Sequence, residues 1–301
     1  MKGYKKVLNE LPVSKECHLL SDDELHRLQS TMLNAYKEIE AVCLKHNLAI
    51  AMAGGNAIGA IRHKGFIPWD DDVDLLMSRK DFEAFKKIFP KELGDKYVLN
   101  APNYSAKPTN RFPKILIKGT KFVEMAMEDD DRACIKMDLF ILENMPENKI
   151  VYKVKGLFCN ALMYIASVVD TYEHRAVIKD YMSATEEGRK MYKRRALIGR
   201  IFSFRSSYSW FNTVDKCCQY HKKSSLVADP CGTYHYFGTT MKRKLMYPFR
   251  KVPFENTTVF IPNDYDAYLT KLYGNYMEIP PVEKQEHHYV RKISFGKEEN
   301  N

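Results

Sequence analysis

The sequence lacks several features that would place it in a specialised class of protein. No run of 18 or more uncharged apolar residues occurs among its 301 residues, so we expect no membrane-spanning helix. Residues 1–20 carry Lys2, Lys5 and Lys6 without a following apolar segment, which argues against a secretory signal. Internal repeats and low-complexity linkers are also missing, which argues against a repeat array. These absences favour a cytoplasmic globular protein.

Cysteine is scarce and irregularly placed. The chain has 7 cysteines, an odd number, which predicts reduced thiols rather than a disulfide framework. The rest of the composition, 45% hydrophobic and 28% charged, is ordinary for a chain that buries a core. We therefore predict one large domain over residues 1–301.

Positive charge is concentrated in one third of the chain. Residues 149–251 hold 20 Lys and Arg against 7 Asp and Glu, a net charge of +13, whereas the remainder holds 27 basic and 31 acidic residues. Such a block suits nucleic acid, an anionic membrane surface or a phosphorylated substrate; a solvated helix face is the alternative. Basic and aromatic residues do not interleave as in nucleic-acid recognition modules, so we expect no nucleic-acid partner.

The hydrophobic spacing predicts alternating helices and strands, which is typical of an α/β or α+β domain. A helix over 22–46 begins at a capping box formed by Ser21 and Glu24. We predict further helices over 56–63, 80–89, 150–169, 185–200, 206–223 and 264–273, and strands over 48–53, 73–77, 96–100, 112–118 and 133–142. The helix over 150–169 belongs to the core or lies at an interface, backed by Lys153 and Lys155. The basic helices read as an insertion, 149–224, between two parts of a catalytic core, 48–148 and 225–290.

A glycine pair, Gly54 and Gly55, lies between the strand over 48–53 and the helix that follows it. Without Cβ atoms, this turn can bring backbone N–H groups close to a phosphate at the positive end of a helix. Many strand–helix turns use glycine, so this feature alone indicates little.

Four carboxylates within five residues, Asp70, Asp71, Asp72 and Asp74, surround the start of the next strand. Side chains two apart on a strand share a face, so Asp72 and Asp74 point the same way while Val73 faces the core. Paired carboxylates are typical ligands of Mg²⁺ (or Mn²⁺), which binds few protein groups and completes its shell with water and phosphate. A solvated acidic loop is the alternative; it fits Asp70 and Asp71 better than the other two.

Asp138 is the candidate third ligand. It lies in the apolar strand Ile135–Ile141, where an unpaired charge is costly. A metal, an Arg or a Lys would compensate it; we favour the metal, because Lys136 would have to meet it side by side on one strand face.

Residues 59–75, GAIRHKGFIPWDDDVDL, resemble the signature of the LicD family, phosphocholine transferases that include fukutin-like proteins. Met137–Phe140 resembles the third acidic strand of that family, and the segment 268–288 resembles its C-terminal end, so the likeness covers roughly 48–142 and 245–288. The resemblance implies a nucleotidyltransferase-like mixed sheet with flanking helices. It also implies metal-dependent transfer of phosphocholine, or a similar phospho-alcohol, from a CDP-linked donor (CDP-choline favoured) to a glycan or lipid-linked glycan hydroxyl, releasing CMP.

The resemblance assigns roles to further residues. Asp72, Asp74 and Asp138 would be both the metal ligands and the catalytic residues, and Asp138, with Asp70 behind it, would be the general base. The candidates for donor and phosphate contacts are Gly54, Gly55, Asn56, Arg62, His63, Lys64 and Trp69. Trp69 packs in the core or stacks on a base or choline ammonium, and packing is favoured. His287 and His288 are secondary candidates, and we expect no zinc site at them.

Two other functions remain open at this point. A nucleotidyltransferase would use the same carboxylates but release pyrophosphate instead of CMP. A non-enzymatic protein would use the basic block to bind anionic ligands or membranes. Since glycan precursors such as those of lipopolysaccharide, teichoic acid or capsule are built on lipid carriers, we also expect possible peripheral contact with the cytosolic membrane face.

Overall fold

Eleven strands and ten helices make up the described part of the computed structural model, residues 11–296 except 13, 15, 126 and 286. The strands are β1 Ile50–Met52, β2 Asp74–Ser78, β3 Tyr97–Asn100, β4 Lys114–Ile117, β5 Lys121–Glu124, β6 Lys136–Asn144, β7 Leu226–Ala228, β8 Met241–Lys242, β9 Arg250–Phe254, β10 Thr257–Ile261 and β11 Val290–Ser294. The helices are α1 Asp22–Lys45, α2 Gly54–Ile58, α3 Arg79–Glu92, α4 Lys149–Glu173, α5 Arg175–Met182, α6 Glu186–Phe202, α7 Ser207–Cys218, α8 His235–Gly238, α9 Arg243–Met246 and α10 Tyr265–Tyr273.

The main sheet is mixed. Its strands run in the order β1-β2-β6-β4-β3; β7 pairs with the end of β6, and β8 pairs with β7. Strands β2 and β6 are parallel, whereas the other pairings in the sheet are antiparallel. Two small antiparallel sheets, β5 with β11 and β9 with β10, complete the strands. The predicted mixed α/β fold is confirmed.

Helix α1 confirms the predicted helix over 22–46 to within one residue. Its capping box is complete, because the Glu24 N–H donates to Ser21 Oγ at 3.3 Å and the Ser21 N–H donates to Glu24 Oε2 at 3.0 Å. Helix α3 is capped in the same way by Ser78 Oγ, which accepts from the Asp81 N–H at 3.0 Å. Both helices begin where short-range polar signals indicated.

The predicted helix over 56–63 differs in the structure. Helix α2 begins at Gly54, and the chain continues as a π-helical turn, Gly59–His63, that ends at Lys64 in a left-handed conformation. Gly59 lies so close to the next segment that a Cβ would be 2.4 Å from the Gly65 carbonyl oxygen. The chain therefore folds back on itself here. The predicted helix over 206–223 also ends early, at Cys218.

Two large hydrophobic cores account for most of the packing, and a small third cluster contains Leu11, Ile178 and Met182. The main core lies between the sheet and helices α1 and α3, with Tyr36, Phe85 and Met77 at 0% exposure. The second core lies among helices α4, α7 and α8 and buries Cys159, Met163 and Trp210. All of 149–218 is helical apart from short connections, as the predicted basic helices indicated. Within the described ranges, no helix combines the length and apolar character needed to cross a bilayer.

A buried guanidinium joins the two cores. Arg79, at the start of α3, donates from Nε to Glu143 Oε1 on β6 at 2.8 Å and from Nη2 to Asp215 Oδ1 on α7 at 2.7 Å. Glu143 and Asp215 are only 2% and 6% exposed. Their charges therefore depend on Arg79 for compensation.

Candidate active site

The register of the central strands places two of the predicted carboxylates, Asp74 and Asp138, opposite each other. In the parallel pair β2–β6, Asp74 lies opposite Asp138, and in the antiparallel pair β4–β6, Lys114 also lies opposite Asp138. Side chains opposite one another in neighbouring strands share a face, so the three form one polar row across the sheet. Lys114 Nζ lies 3.2 Å from Asp138 Oδ1. A lysine from β4 thus neighbours Asp138, while Lys136, which sequence reasoning considered, pairs with Glu124.

Asn56 fixes the acidic segment that precedes β2. Its Nδ2 donates to the Asp72 carbonyl oxygen at 3.1 Å, and its Oδ1 accepts from the Asp74 N–H at 2.7 Å. The residue is fully buried. Both ends of the amide therefore serve the backbone, so Asn56 is a positioning residue here rather than an open phosphate contact.

The glycine turn lies directly against the carboxylates. Gly54 has a φ of +52°, and a Cβ there would be 2.9 Å from Asp74 Oδ2. A Cβ on Gly55 would be 2.9 Å from Asp70 Oδ2. The Gly54 N–H donates to Tyr268 Oη at 3.3 Å, so helix α10 supports this turn. The glycine pair and the acidic segment therefore meet in one place.

The carboxylates strongly influence one another. Desolvation and the charges of Asp72 and Asp138 raise the pKa of Asp74 well above its ordinary value. The side chain of Asp72 keeps contact with solvent, yet desolvation by surrounding protein raises its pKa to about 6. The charges of Asp71 and Asp138 raise it further and His288 opposes them. Negative charge is concentrated here beyond what the protein neutralises.

Asp138 provides a second sign that a cation belongs in the site. Its buried Oδ1 forms an ion pair with Lys114 Nζ at 3.2 Å, but it accepts no well-directed hydrogen bond from the part of the chain that the structure describes. A metal ion would supply the interaction that this carboxylate oxygen still lacks. The residues present therefore fit a hard divalent cation.

His288 completes the site from the far end of the sequence. Its ring Nδ1 lies 2.6 Å from Asp71 Oδ1, and its backbone N–H donates to Asp71 Oδ2 at 3.0 Å. The hydrogen bond and charge of Asp71 raise the pKa of His288 to about 9. Asp71, Asp72 and His288 offer ligand atoms within 4.8 Å of one another. Among the described residues this is the one group of three such side chains whose ligand atoms converge; it shares Asp72 with the predicted set, whereas Asp74 and Asp138 lie outside it.

A cavity of about 130 Å³ opens beside these groups. Its polar lining consists of Asp71, Asp72, Lys114, Glu124, Lys136, Asp138 and His288. His287, the neighbour of His288, is exposed. The Asp70 carbonyl oxygen accepts a hydrogen bond from Gln29 at 2.9 Å, which holds the acidic loop against α1.

The basic residues after the glycine turn are engaged elsewhere. Arg62 Nη1 donates to the carbonyl oxygens of Tyr276 and Glu278 at 2.7 and 3.0 Å, and its Nε donates to His63 Nε2 at 2.9 Å. Burial and Arg62 lower the pKa of His63. Lys64 Nζ donates to the Ile61 carbonyl oxygen at 3.1 Å. As far as the described residues show, none of these three lines the cavity.

Trp69 packs against the main core and lies edge-on to His63, with ring centroids 6.3 Å apart. The packing interpretation of this residue is confirmed.

Asp229 is a site residue that sequence reasoning missed. It follows β7, and its Oδ1 accepts from the Gly232 N–H at 3.0 Å. Desolvation raises its pKa to about 7, and its charge contributes to the raised pKa of Asp74. With Gly54, Asp74, Tyr268 and Tyr273 it lines a second, small cavity of about 50 Å³. The only sequence signal was an Asp directly after a short apolar strand, which is also typical of a turn.

Taken together, the fold and site define a mixed-sheet, nucleotidyltransferase-like domain with carboxylates on neighbouring strands beside a glycine turn. A family model described as "LicD/FKTN/FKRP, nucleotidyltransferase domain" matches residues 47–152, which contain the turn and the predicted carboxylates. The chain is 26% identical over 279 residues to the lipopolysaccharide cholinephosphotransferase LicD of Haemophilus influenzae, an alignment that covers 89% of this chain and 97% of that protein. These two matches support a LicD family assignment and agree with the resemblance inferred from residues 59–75.

Shorter similarities include an uncharacterized protein of Rickettsia typhi, 34% identical over 83 residues, or 25% of this chain and 27% of that protein. An uncharacterized protein of Rickettsia prowazekii is 30% identical over 77 residues, or 24% of this chain and 29% of that protein.

Proposed function

We propose that the protein is a LicD-type phosphotransferase that moves phosphocholine, or a similar phospho-alcohol, from a CDP-linked donor to a hydroxyl of a cell-surface glycan precursor. CDP-choline is the favoured donor, and CMP is the other product. The full-length similarity to a lipopolysaccharide cholinephosphotransferase supports this choice of substrates. It also favours phospho-alcohol transfer over nucleotide transfer.

The observation that carries the proposal is the polar row of Asp74, Asp138 and Lys114 beside the Gly54 turn. A diphosphate donor brings negative charge, which has to be neutralised before another oxygen can approach its phosphorus. A pure anion-binding protein would gain nothing from these clustered carboxylates. They are useful when a cation links them to phosphate.

Mg²⁺ (or Mn²⁺) would be held by Asp72, Asp74 and Asp138, with Asp71 and His288 beside Asp72 as the alternative donors. When bound, such an ion neutralises phosphate charge and orients the donor. The buried Asp138 Oδ1 and the raised pKa values of Asp72 and Asp74 support its presence.

The remaining steps fall to side chains of this chain. Asp138 is the first candidate for the general base, with Asp70 behind it, and Lys114 orients the Asp138 carboxylate through their ion pair. The acceptor oxygen bonds to the phosphorus that carries the alcohol, the bond from that phosphorus to the bridging oxygen breaks, and CMP leaves. The acceptor proton passes to the carboxylate.

Phosphorus NMR of the full chain with CDP-choline, Mg²⁺ and lipopolysaccharide acceptor tests the proposal directly. We expect CMP from the unmodified protein and at least about a hundredfold less from Asp74→Asn. Because the Asp74 carboxylate is held in a desolvated, acidic site, the variant should be at least as stable as the parent in EDTA. Loss of activity could then not be attributed to unfolding.

Asp95→Asn is the matched control, because Asp95 is an exposed loop acid. It should release CMP at the parent rate. If CDP-choline is inert, CDP-ribitol and CDP-glycerol identify a different carried alcohol. Pyrophosphate release from CTP or ATP, without CMP from any CDP-alcohol, would contradict the proposal in favour of nucleotide transfer.

A further inference from the structure

Helix α4 exposes an apolar face to solvent. Ile150, Val154, Leu157 and Phe158 are 74%, 63%, 66% and 60% exposed. Their spacing of four, seven and eight residues places them on one side of the helix. We call this set the α4 ridge. Large side chains so exposed on a single helix face are unusual in a protein that works alone in water.

The ridge is uncovered because the neighbouring helix stops short of it. Helix α6 packs on the second half of α4, where Arg195 donates to Ser167 and Thr171. There a Cβ on Gly199 would lie 2.1 Å from the Val168 carbonyl oxygen. The opposite side of α4 buries Cys159 and the rest of the second core. Among the described residues, the first half of α4 therefore has one packed side and one bare side.

Helix α6 adds a second exposed apolar set. Leu197 and Ile201 are 62% and 63% exposed, and Phe204, just after the helix, is 72% exposed. Exposed Lys193 and Arg200 lie on the same helix, within four residues of Leu197. Exposed Lys149 and Lys153 likewise lie on α4 directly beside the ridge residues Ile150 and Val154.

The surroundings of the ridge select its occupant. Residues 149–224 hold 15 Lys and Arg against 6 Asp and Glu, so a second copy of the same surface would be repelled. Apolar side chains among cations match the boundary between acyl chains and anionic headgroups. We propose that the α4 ridge and its flanking lysines dock the protein on an anionic lipid bilayer. This surface is separate from the carboxylate site, so the inference does not depend on the proposed function.

Arg195 is not part of this surface. It follows Lys193 and Arg194 in the sequence, but it is 6% exposed and donates to Ser167 and Thr171. The arginine therefore ties α6 to α4. Charge reversal at Arg195 would disturb folding, and the test below leaves this residue unchanged.

Sedimentation of the full chain with vesicles tests the proposal. The vesicles contain phosphatidylcholine alone or with one third phosphatidylglycerol. We expect the parent to bind the anionic vesicles at least about tenfold more tightly than the neutral ones. Leu157→Gln with Phe158→Gln should weaken binding to the anionic vesicles at least about tenfold. Lys149→Glu with Lys153→Glu should reduce the preference for anionic lipid.

Matched controls lie elsewhere on the surface. Leu44→Gln, on α1, removes another exposed leucine, and Lys91→Glu, on α3, reverses another exposed lysine. Both should bind as the parent does, and urea midpoints should confirm that all variants fold. The proposal would be overturned if the parent does not bind anionic vesicles, or if the Leu157→Gln, Phe158→Gln variant binds them with the affinity of the parent. A parent dimer that the ridge variant loses, without vesicle binding, would instead assign the ridge to a second copy.

Discussion

Replacing His288 by Gln should make the stability of the protein less dependent on pH above neutrality. Asp71 raises the pKa of His288 to about 9 from an ordinary value near 6.5. The folded state therefore binds the imidazole proton more tightly than the unfolded chain does. The resulting stabilisation is fully present below about pH 6.5 and is lost as the pH rises through about 9.

The size of the effect follows from the shift and from exposure. Raising the pKa of His288 from near 6.5 to about 9 corresponds to about 3 kcal/mol before solvent screening. The His288 side chain is 43% exposed, so solvent screening reduces this to about 1–2 kcal/mol. The free energy of unfolding of the parent should thus exceed that of His288→Gln by this amount at pH 6.5. The difference should disappear above the pKa of about 9 that His288 has in the folded state.

Urea unfolding in EDTA at several pH values between these limits measures the difference. His287→Gln is the matched control, because this neighbouring imidazole is exposed, and its curve should follow the parent at every pH. His174, whose pKa Asp170 also raises to about 9, is present in all three proteins and cancels in the comparison. A stability difference between parent and His288→Gln that stays constant with pH would refute the reasoning.

Three further substitutions probe the frame of the site. Gly54→Ala places a Cβ at a residue with a φ of +52°, 2.9 Å from Asp74 Oδ2. It should lower the free energy of unfolding in urea by about 1–2 kcal/mol and reduce CMP release. Stability and CMP release equal to those of the parent would show that the turn can shift. Arg79→Met leaves two buried acids uncompensated and should lower the free energy of unfolding by about 3–5 kcal/mol. Glu83→Gln, at the exposed end of the same cluster, should lower it by about 0–1 kcal/mol. Equal losses of stability would contradict the role of Arg79 in compensating the buried acids. Asn56→Ala leaves a backbone N–H of β2 without its acceptor and should cost about 1–3 kcal/mol, and an unchanged urea midpoint would count against its positioning role.

Features encoded by neighbouring residues were predictable from the sequence. The capping box of α1 and the Ser78 cap of α3 each involve residues three apart, so their letters suffice. The acidic strand start and the strand containing Asp138 were also predicted, because alternation of polar and apolar side chains is local. Their parallel pairing in register was not predicted, since it depends on segments more than sixty residues apart.

The missed features depend on tertiary contact. Lys114 and Asp229 join the site only through strands that pair with β6, and each is a single residue on or beside a short strand. The burial of Arg195 follows from the packing of α6 on α4, which helical periodicity alone does not specify. The guanidinium of Arg62 is satisfied by carbonyl oxygens more than two hundred residues away, so its motif position gave no indication of its partners.

The pairing of β11 with β5 has a consequence for how the protein is made. Strand β5 leaves the ribosome more than 150 residues before its partner strand, and His288 immediately precedes that partner. Asp71 is therefore synthesised more than 200 residues before His288, the imidazole that pairs with it. A nascent chain can build the parallel strand pair and the ion pair between Lys114 and Asp138 early, but Asp71 lacks its histidine partner until the segment before β11 emerges. A ribosome stalled before residue 288 would thus display Asp71 without its histidine partner.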